Sequence, residues 1–392
     1  MKIIQFSDSF LPIRDGVGNV VYQYAVQMSE QGHEVYVVAP QTDTGFNGKY
    51  PFEIIDYVGF QFASMKSYKV GFPALDPNCQ QRLNMIDADI VHVHTPFTAG
   101  QAGIAYAQNH KVPIIGTFHS NYYDDILQVT GMELIATVGS KIVGGFYNKC
   151  DEVWSVSKTS RKTLKQYGCI KPVRVMENGT DSCQVSQQDI EKVRQEFGLT
   201  ERPILLFVGQ INWKKNIRCI LEAAALLPFP FQLVFAGTGP HMDEIRELAI
   251  SLGISGRVIF TGFIQEEKRK NALYALADLF VFPSLYDTSG LVVREAAAAG
   301  TPSITVQKSG AAECIKDGEN GFLCKDSPED LAAVIVHALE DPQKLQQIGE
   351  AAKETIPIPW KETTAAALKR YQYLVENYDP SKKKKRVKKK SE

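Results

Sequence analysis

The sequence predicts an α/β fold of two Rossmann-like, doubly wound domains. Three observations predict it. Short apolar runs alternate with longer amphipathic segments, the spacing of right-handed βαβ units on a parallel sheet. That pattern runs to about residue 179 and then restarts near Ile204. The 392-residue length suits two domains better than one.

In the first half, Lys2–Phe6 reads as a strand, Val17–Gln31 as a helix and Glu34–Ala39 as a second strand. Asp89–His94 and Pro113–Phe118 follow as strands around a helical Gly100–Asn109, then strand Glu152–Ser155 and helix Lys158–Tyr167. In the second half, Ile204–Val208 (ILLFV) is wholly apolar between Pro203 and Gly209, the mark of a buried central strand. Asn216–Leu227 and His241–Leu252 read as helices around strand Gln232–Ala236. Strands Val258–Thr261, Leu279–Phe282 and Ser303–Val306 and helix Leu291–Ala299 complete the set. The expected domains are 1–180 and 181–360, joined through the polar stretch Gly179–Glu201 with its own short helix. A terminal helix, Trp360–Glu376, is expected, and its segment 361–378 is counted with the domain 1–180. The stretch 379–392, ending SKKKKRVKKKSE, has almost nothing to bury and is expected to be disordered.

Bulk composition excludes several classes. No run approaches the roughly 18 apolar residues of a membrane-spanning helix, and the start MKIIQFSDSF reads as a buried strand rather than a leader. Seven cysteines without Cys-x-x-Cys spacing argue against a disulfide framework or zinc site. Together these favour a reducing cytoplasm. Net charge is −1, but the basic tail conceals a mildly acidic body, unlike a specific nucleic-acid binder.

Open parallel sheets bind ligands beyond the carboxyl ends of their strands, so loops after strands are the candidate sites. Asp15-Gly16-Val17-Gly18 lets main-chain N–H groups approach an anion at a helix start, or is an ordinary turn and cap. The full G-x-G-x-x-G fingerprint of a dehydrogenase is absent, since Val21 stands at its last position. His119 ends a strand, where it either meets a ligand or serves the core. His92 and His94 share one strand face and read as core rather than as metal ligands. Gln210 to Asn216 follows the ILLFV strand, and Lys215 there can neutralise a phosphate or be merely solvated. The richest segment is Pro283 to Glu295. The turn residues Thr288 to Leu291 offer main-chain amides at a helix start, suited to a phosphate or a sugar hydroxyl. Asp287 and Glu295 flank it, and carboxylates accept hydrogen bonds from sugar and ribose hydroxyls but not from phosphate oxygens.

The segments DSFLPIRDGVGNVVYQYAVQMSEQGHEVYVVAP, DIVHVHTPF, PIIGTFHS, WSVSKTSRKTL, ENGTD, FVGQINWKKNI, FAGTGP, VFPSLYDTSGLVVREAAAAGTPSI and GENGFL, in this order, resemble glycosyltransferase family 4 over residues 1–376. The resemblance implies the GT-B architecture: two such domains facing a central cleft, with the C-terminal helix crossing back to the first. It implies retaining transfer of a hexose from a UDP- or GDP-linked donor to a hydroxyl acceptor, such as a lipid or envelope glycan precursor. No cofactor or metal enters. Glu295 would hold the ribose, and Asp287 with the amides of Ser289, Gly290 and Leu291 the sugar and diphosphate. Lys215 would neutralise the leaving diphosphate, Gly16 would face the phosphates, and His119 would sit by the sugar. The sequence departs from the pattern twice, with Asp287 for the usual Glu and Gln210, which the resemblance also places among the donor-binding residues, for the usual Arg. A sugar-nucleotide epimerase, a glycogen-type synthase or a binding protein that performs no transfer are the rival readings. Val58 to Pro73 reads as a membrane-facing or acceptor loop, or as a plain connection between strands. Lys382–Lys390 can meet an anionic membrane surface, giving a peripheral location on its cytoplasmic face, or stay solvated.

Overall fold

The computed structural model describes residues 1–11, 15–40, 49–61 and 69–381. The tail residues Lys382–Lys390 and the middle of the 58–73 segment lie outside them. The chain divides into one unit of Met1–Asn178 with Trp360–Glu392 and another of Gly179–Pro359.

In the first unit the strands are β1 (Lys2–Phe6), β2 (Glu34–Ala39), β3 (Glu53–Asp56), β4 (Gly59–Gln61), β5 (Lys69–Gly71), β6 (Ile90–Val93), β7 (Ile114–Phe118), β8 (Glu152–Ser155) and β9 (Val173–Val175). The helices are α1 (Gly16–Glu30), α2 (Pro77–Asn84), α3 (Thr98–His110), α4 (Tyr122–Thr130), α5 (Glu133–Tyr147) and α6 (Lys158–Gln166). Seven strands form a parallel sheet in the order β3-β2-β1-β6-β7-β8-β9, and β4–β5 is a separate antiparallel hairpin. The winding reverses between β1 and β6, whose strands pair from Ile3↔Ile90 to Phe6↔Val93.

The second unit carries α7 (Gln187–Glu196), β10 (Ile204–Val208), α8 (Ile217–Ala225), β11 (Gln232–Ala236), α9 (Met242–Ser251), β12 (Val258–Gly262), α10 (Glu267–Leu276), β13 (Leu279–Phe282), α11 (Leu291–Ala298), β14 (Ser303–Val306), β15 (Phe322–Cys324), α12 (Pro328–Leu339) and α13 (Pro342–Thr355). Its six parallel strands run β12-β11-β10-β13-β14-β15 and reverse between β10 and β13. Ile204 to Phe207 are buried, as an apolar run between two helical layers requires.

One expectation needs adjustment. The helix expected from Asn216 begins at Ile217, because Asn216 adopts a left-handed φ of 58° and Trp213–Lys215 forms a 3-10 turn instead. Lys215 therefore sits in that turn, before the helix. The chain then returns to the first unit through α14 (Trp360–Asn377). The ring of Tyr371 stacks on Trp154 at 5.7 Å, and Arg370 clamps Glu152 with bonds of 2.5–2.8 Å. The crossing-back implied by the resemblance is thus made by aromatic stacking and a charge-assisted fork. Among the described residues, no helix is long and apolar enough to cross a membrane.

Candidate functional site

The second unit gathers most of the candidate residues at its β10/β13 reversal. These strands are neighbours, so the loops leaving their carboxyl ends are neighbours too. Asn216 ties the loops together: its Nδ2 donates to the Pro283 carbonyl at 3.2 Å and to Asp326 Oδ1 at 2.8 Å. The Lys215 ammonium forms an ion pair with Asp287 and lies 5.6 Å from the centre of the Phe282 ring. Both partners are mostly shielded from solvent, at 26% and 19% exposure. The sheet order therefore explains why a lysine and an aspartate 72 positions apart meet.

Two backbone packings fix this geometry. A Cβ on Gly237 would come within 1.9 Å of the Gly209 carbonyl oxygen, so the loop after β11 lies directly behind the loop after β10. Gly290 has φ of 60°, and a Cβ there would lie 2.8 Å from the Ala311 Cα. It caps α11 without a side chain, and its close packing against Ala311 fixes the backbone of the Ser289–Leu291 turn. Gln210 is exposed, and its Oε1 accepts from Asn212 Nδ2 at 2.7 Å.

Glu295 has different partners. Lys270 Nζ and Tyr274 OH, one turn apart on α10, donate to its two oxygens at 3.0 Å each. Tyr274 is buried, and desolvation raises its phenol well above the ordinary range, so it remains a donor at any working pH. Sequence reasoning missed both residues. Their spacing of four places them on one helix face, which was the available signal.

Two candidates lie in the first unit. Gly16 is the first residue of α1, whose cap Asp15 accepts from Gly18 N at 2.6 Å and from Ser9 Oγ at 2.6 Å. His119 follows β7 and is buried. It joins a chain of imidazoles: His119 Nε2 meets His94 Nδ1 at 3.1 Å, and His94 Nε2 meets Gln5 Oε1 at 3.0 Å. His92 bonds Tyr371 OH at 2.5 Å and Thr117 Oγ1 at 2.7 Å. Burial pushes His119 down to about 3 and His94 and His92 well below 6.5, so all three are neutral at pH 7. The donor and acceptor roles along this chain follow from which ring nitrogens carry the protons. The polar Gln5 inside an otherwise apolar strand was the overlooked signal. Among the described residues, no group of three His, Cys, Asp or Glu side chains is arranged to hold a metal ion.

The sequence matches the family model for Glycosyltransferase Family 4 over residues 14–183 and that for Glycosyl transferases group 1 over residues 189–355. It is 29% identical to alpha-monoglucosyldiacylglycerol synthase of Streptococcus pneumoniae, covering 86% of this chain and 78% of that protein. It is 25% identical to a GDP-mannose-dependent alpha-mannosyltransferase of Corynebacterium glutamicum, covering 95% and 88%. In three dimensions it is similar to HepE of Anabaena, crystallised with UDP and glucose, with TM-score 0.77, 21% identity and coverage of 95% and 100%. It is also similar to sucrose-phosphate synthase of Thermosynechococcus elongatus, with TM-score 0.80, 21% identity and coverage of 95% and 98%.

Proposed function

Because the chain belongs to the GT-B glycosyltransferases of family 4 and group 1, we propose that it moves a hexose, with retention, from a UDP- or GDP-linked donor to a lipid hydroxyl. The lipid is favoured because two relatives, from S. pneumoniae and Acholeplasma laidlawii, are both named alpha-monoglucosyldiacylglycerol synthase. The observation that carries the reading is the Lys215–Asp287 pair at the strand reversal of the second unit.

In this reading the anomeric C–O bond to the diphosphate breaks, and the acceptor oxygen bonds to that carbon on the same face. The acceptor proton ends on the leaving diphosphate. Lys215 and the main-chain amides of Ser289, Gly290 and Leu291 stabilise the charge that develops there. Asp287 orients sugar hydroxyls, and Glu295, held by Lys270 and Tyr274, accepts from the ribose. Gly16 presents the start of α1 to phosphate, and neutral His119 offers a hydrogen bond, not a charge, to the sugar. No metal step is needed, so turnover should survive EDTA. Location on the inner membrane face, aided by Lys382–Lys390, belongs to the same proposal.

Thermal shift with UDP and GDP, then mass analysis of diacylglycerol incubated with UDP-glucose or GDP-mannose, tests it. Lys215→Ala should slow transfer about 10²- to 10³-fold, the usual loss for one electrostatic stabiliser. Wild-type turnover in folded Lys215→Ala and Glu295→Ala proteins would overturn the assignment. A second reading, donor binding without transfer, is favoured by the uncharged Gln210. Nucleotide binding with no product from any acceptor would establish it.

A further inference from the structure

The two faces of the first unit's sheet differ at its centre. On one face Ile4 and Phe6 of β1 and Val91 and Val93 of β6 join an apolar core. The alternate positions, Gln5 on β1 and His92 and His94 on β6, point to the other face and are buried as well. Tyr24 of α1 covers them, its ring 5.8 Å from His92 and 6.0 Å from His94, both edge-on. A polar layer of this kind is costly to bury. It is also incompletely satisfied, since Gln5 Nε2 is buried without a hydrogen-bond partner. Apolar side chains of similar shape would fill these positions without that cost.

The line of hydrogen bonds indicates what the layer serves. It runs from Gln5 through His94 to His119, at 3.0 and 3.1 Å. His119 stands just beyond the carboxyl end of β7, the edge at which open parallel sheets hold ligands. His92 is off this line, because its two nitrogens bond Tyr371 and Thr117. With His119 Nε2 turned to His94, any hydrogen bond from this ring to a ligand is made by Nδ1. Burial keeps both rings neutral, so each carries one proton. The state of Nε2 therefore decides whether Nδ1 donates or accepts. The facing nitrogen of His94 selects that state, because one of the two must donate and the other accept.

We propose that His94 is a positioning residue: backed by Gln5, it fixes the orientation of the His119 ring and the nitrogen on which its single proton sits. The consequence for transfer rests on the sugar contact proposed above for His119, but the tautomer is measured without substrate. Nitrogen–proton correlation spectra of the full chain resolve the ring nitrogens of each histidine, and His119 is identified by its loss in His119→Asn. The wild type should show His119 as one neutral tautomer at neutral pH, and His94→Leu as a mixture of both. His94→Asn, whose amide occupies the place of the lost Nδ1, should restore a single form. In the transfer assay kcat should fall about 10- to 100-fold in His94→Leu and largely recover in His94→Asn. The donor KM and the thermal shift with UDP or GDP should not change. His92→Asn, equally buried but bonded elsewhere, should lower the melting temperature without moving the His119 tautomer. Where His94→Leu does not fold, Gln5→Met removes the polar partner behind His94 and gives the same spectral readout. An unchanged His119 tautomer in these variants would overturn the proposal. So would a loss of turnover that His92→Asn reproduces and that only tracks the loss of folded protein. If the tautomer moves while turnover of the folded enzyme does not, the positioning stands and the sugar contact of His119 falls.

Discussion

Lowering the pH from 7 to 5 should destabilise the first unit through its buried histidines. An imidazole of the unfolded chain titrates near 6.5, whereas burial holds His119 at about 3. Between those values the unfolded state binds the proton and the folded state does not. Stability contributed by the neutral ring is therefore fully present above about pH 6.5 and falls as the pH drops through that window. At pH 5 the unfolded ring is almost wholly protonated, which favours unfolding by about 2 kcal/mol relative to pH 7. His94 and His92 are driven well below 6.5 by burial and by neighbouring imidazoles. Each adds up to the same amount, giving a ceiling of about 6 kcal/mol, comparable with the whole stability of a typical domain. For a unit of this size, His119 alone should lower the melting temperature by about 4–8 °C. Trp154 packs 5.2 Å from His92 and stacks on Tyr371, so its fluorescence reports this unit once Trp213 is replaced by Phe. Urea midpoints at pH 7, 6 and 5 give the slope, and His119→Asn should remove about 2 kcal/mol of the loss. A midpoint independent of pH, or a His119 resonance titrating near 6.5, would refute the reasoning.

Arg370→Ala strips Glu152 of its clamp, leaving a carboxylate that is 12% exposed and supported by Trp154 Nε1 at 2.8 Å and Arg174 at 3.2 Å. A loss of about 2–4 kcal/mol and release of α14 are expected, read by urea unfolding and by proteolysis near Trp360. Burial alone would raise Glu152, but the hydrogen bonds from Arg370 and Trp154 prevail and hold it below 4.5. Its contribution is therefore present above about pH 4.5 and is lost as acidity increases beyond that, a window distinct from that of the histidines. Gly237→Ala should cost about 2–4 kcal/mol, because its φ of 145° disfavours a side chain and the new Cβ would meet the Gly209 carbonyl. Intact stability in that variant, measured by thermal melting of the second unit, would contradict the close packing.

The central strands were legible in the sequence because a buried parallel strand carries its own marker, an apolar run between turn residues, whereas the short strands β3, β4, β5, β9 and β15 carry no such run and escape the sequence reading. ILLFV and LFVF needed no partner to be recognised. The ends of helices were less legible, since Asn216 turns left-handed through its bonds to Pro283 and Asp326. Helix α5 carries apolar residues on both faces, and the sequence reading assigns no element to 122–147. At the candidate site, Asp287 and Lys215 were legible as residue types in loops after strands. Their pairing depends on the β10–β13 adjacency, a property of sheet order. The holders of Glu295 were hidden for a similar reason: α10 begins Glu-Lys-Arg-Lys and reads locally as a solvated segment.

These pairings leave an electrostatic problem that Gln210 brings into focus. Lys215 is balanced by Asp287 and Lys270 by Glu295, so these four charged side chains cancel. An arriving diphosphate must then draw on main-chain amides and compete with Asp287 for Lys215. The usual arginine at position 210 would add an uncompensated charge beside the Gly209 turn. Gln210→Arg should therefore tighten nucleotide binding. A charge-assisted bond contributes about 1.5–3 kcal/mol, but position 210 is exposed and the Asn212 contact is lost, so about 1 kcal/mol should survive. Calorimetry should show about fivefold tighter UDP or GDP binding at low ionic strength, shrinking as salt is added. The unphosphorylated nucleoside should show no gain, because the added charge has nothing to meet. Equal tightening for nucleoside and diphosphate would place the effect elsewhere than at the phosphates. No tightening for either would mean that the turn after β10 does not face them, and the donor assignment of Gln210 would fall.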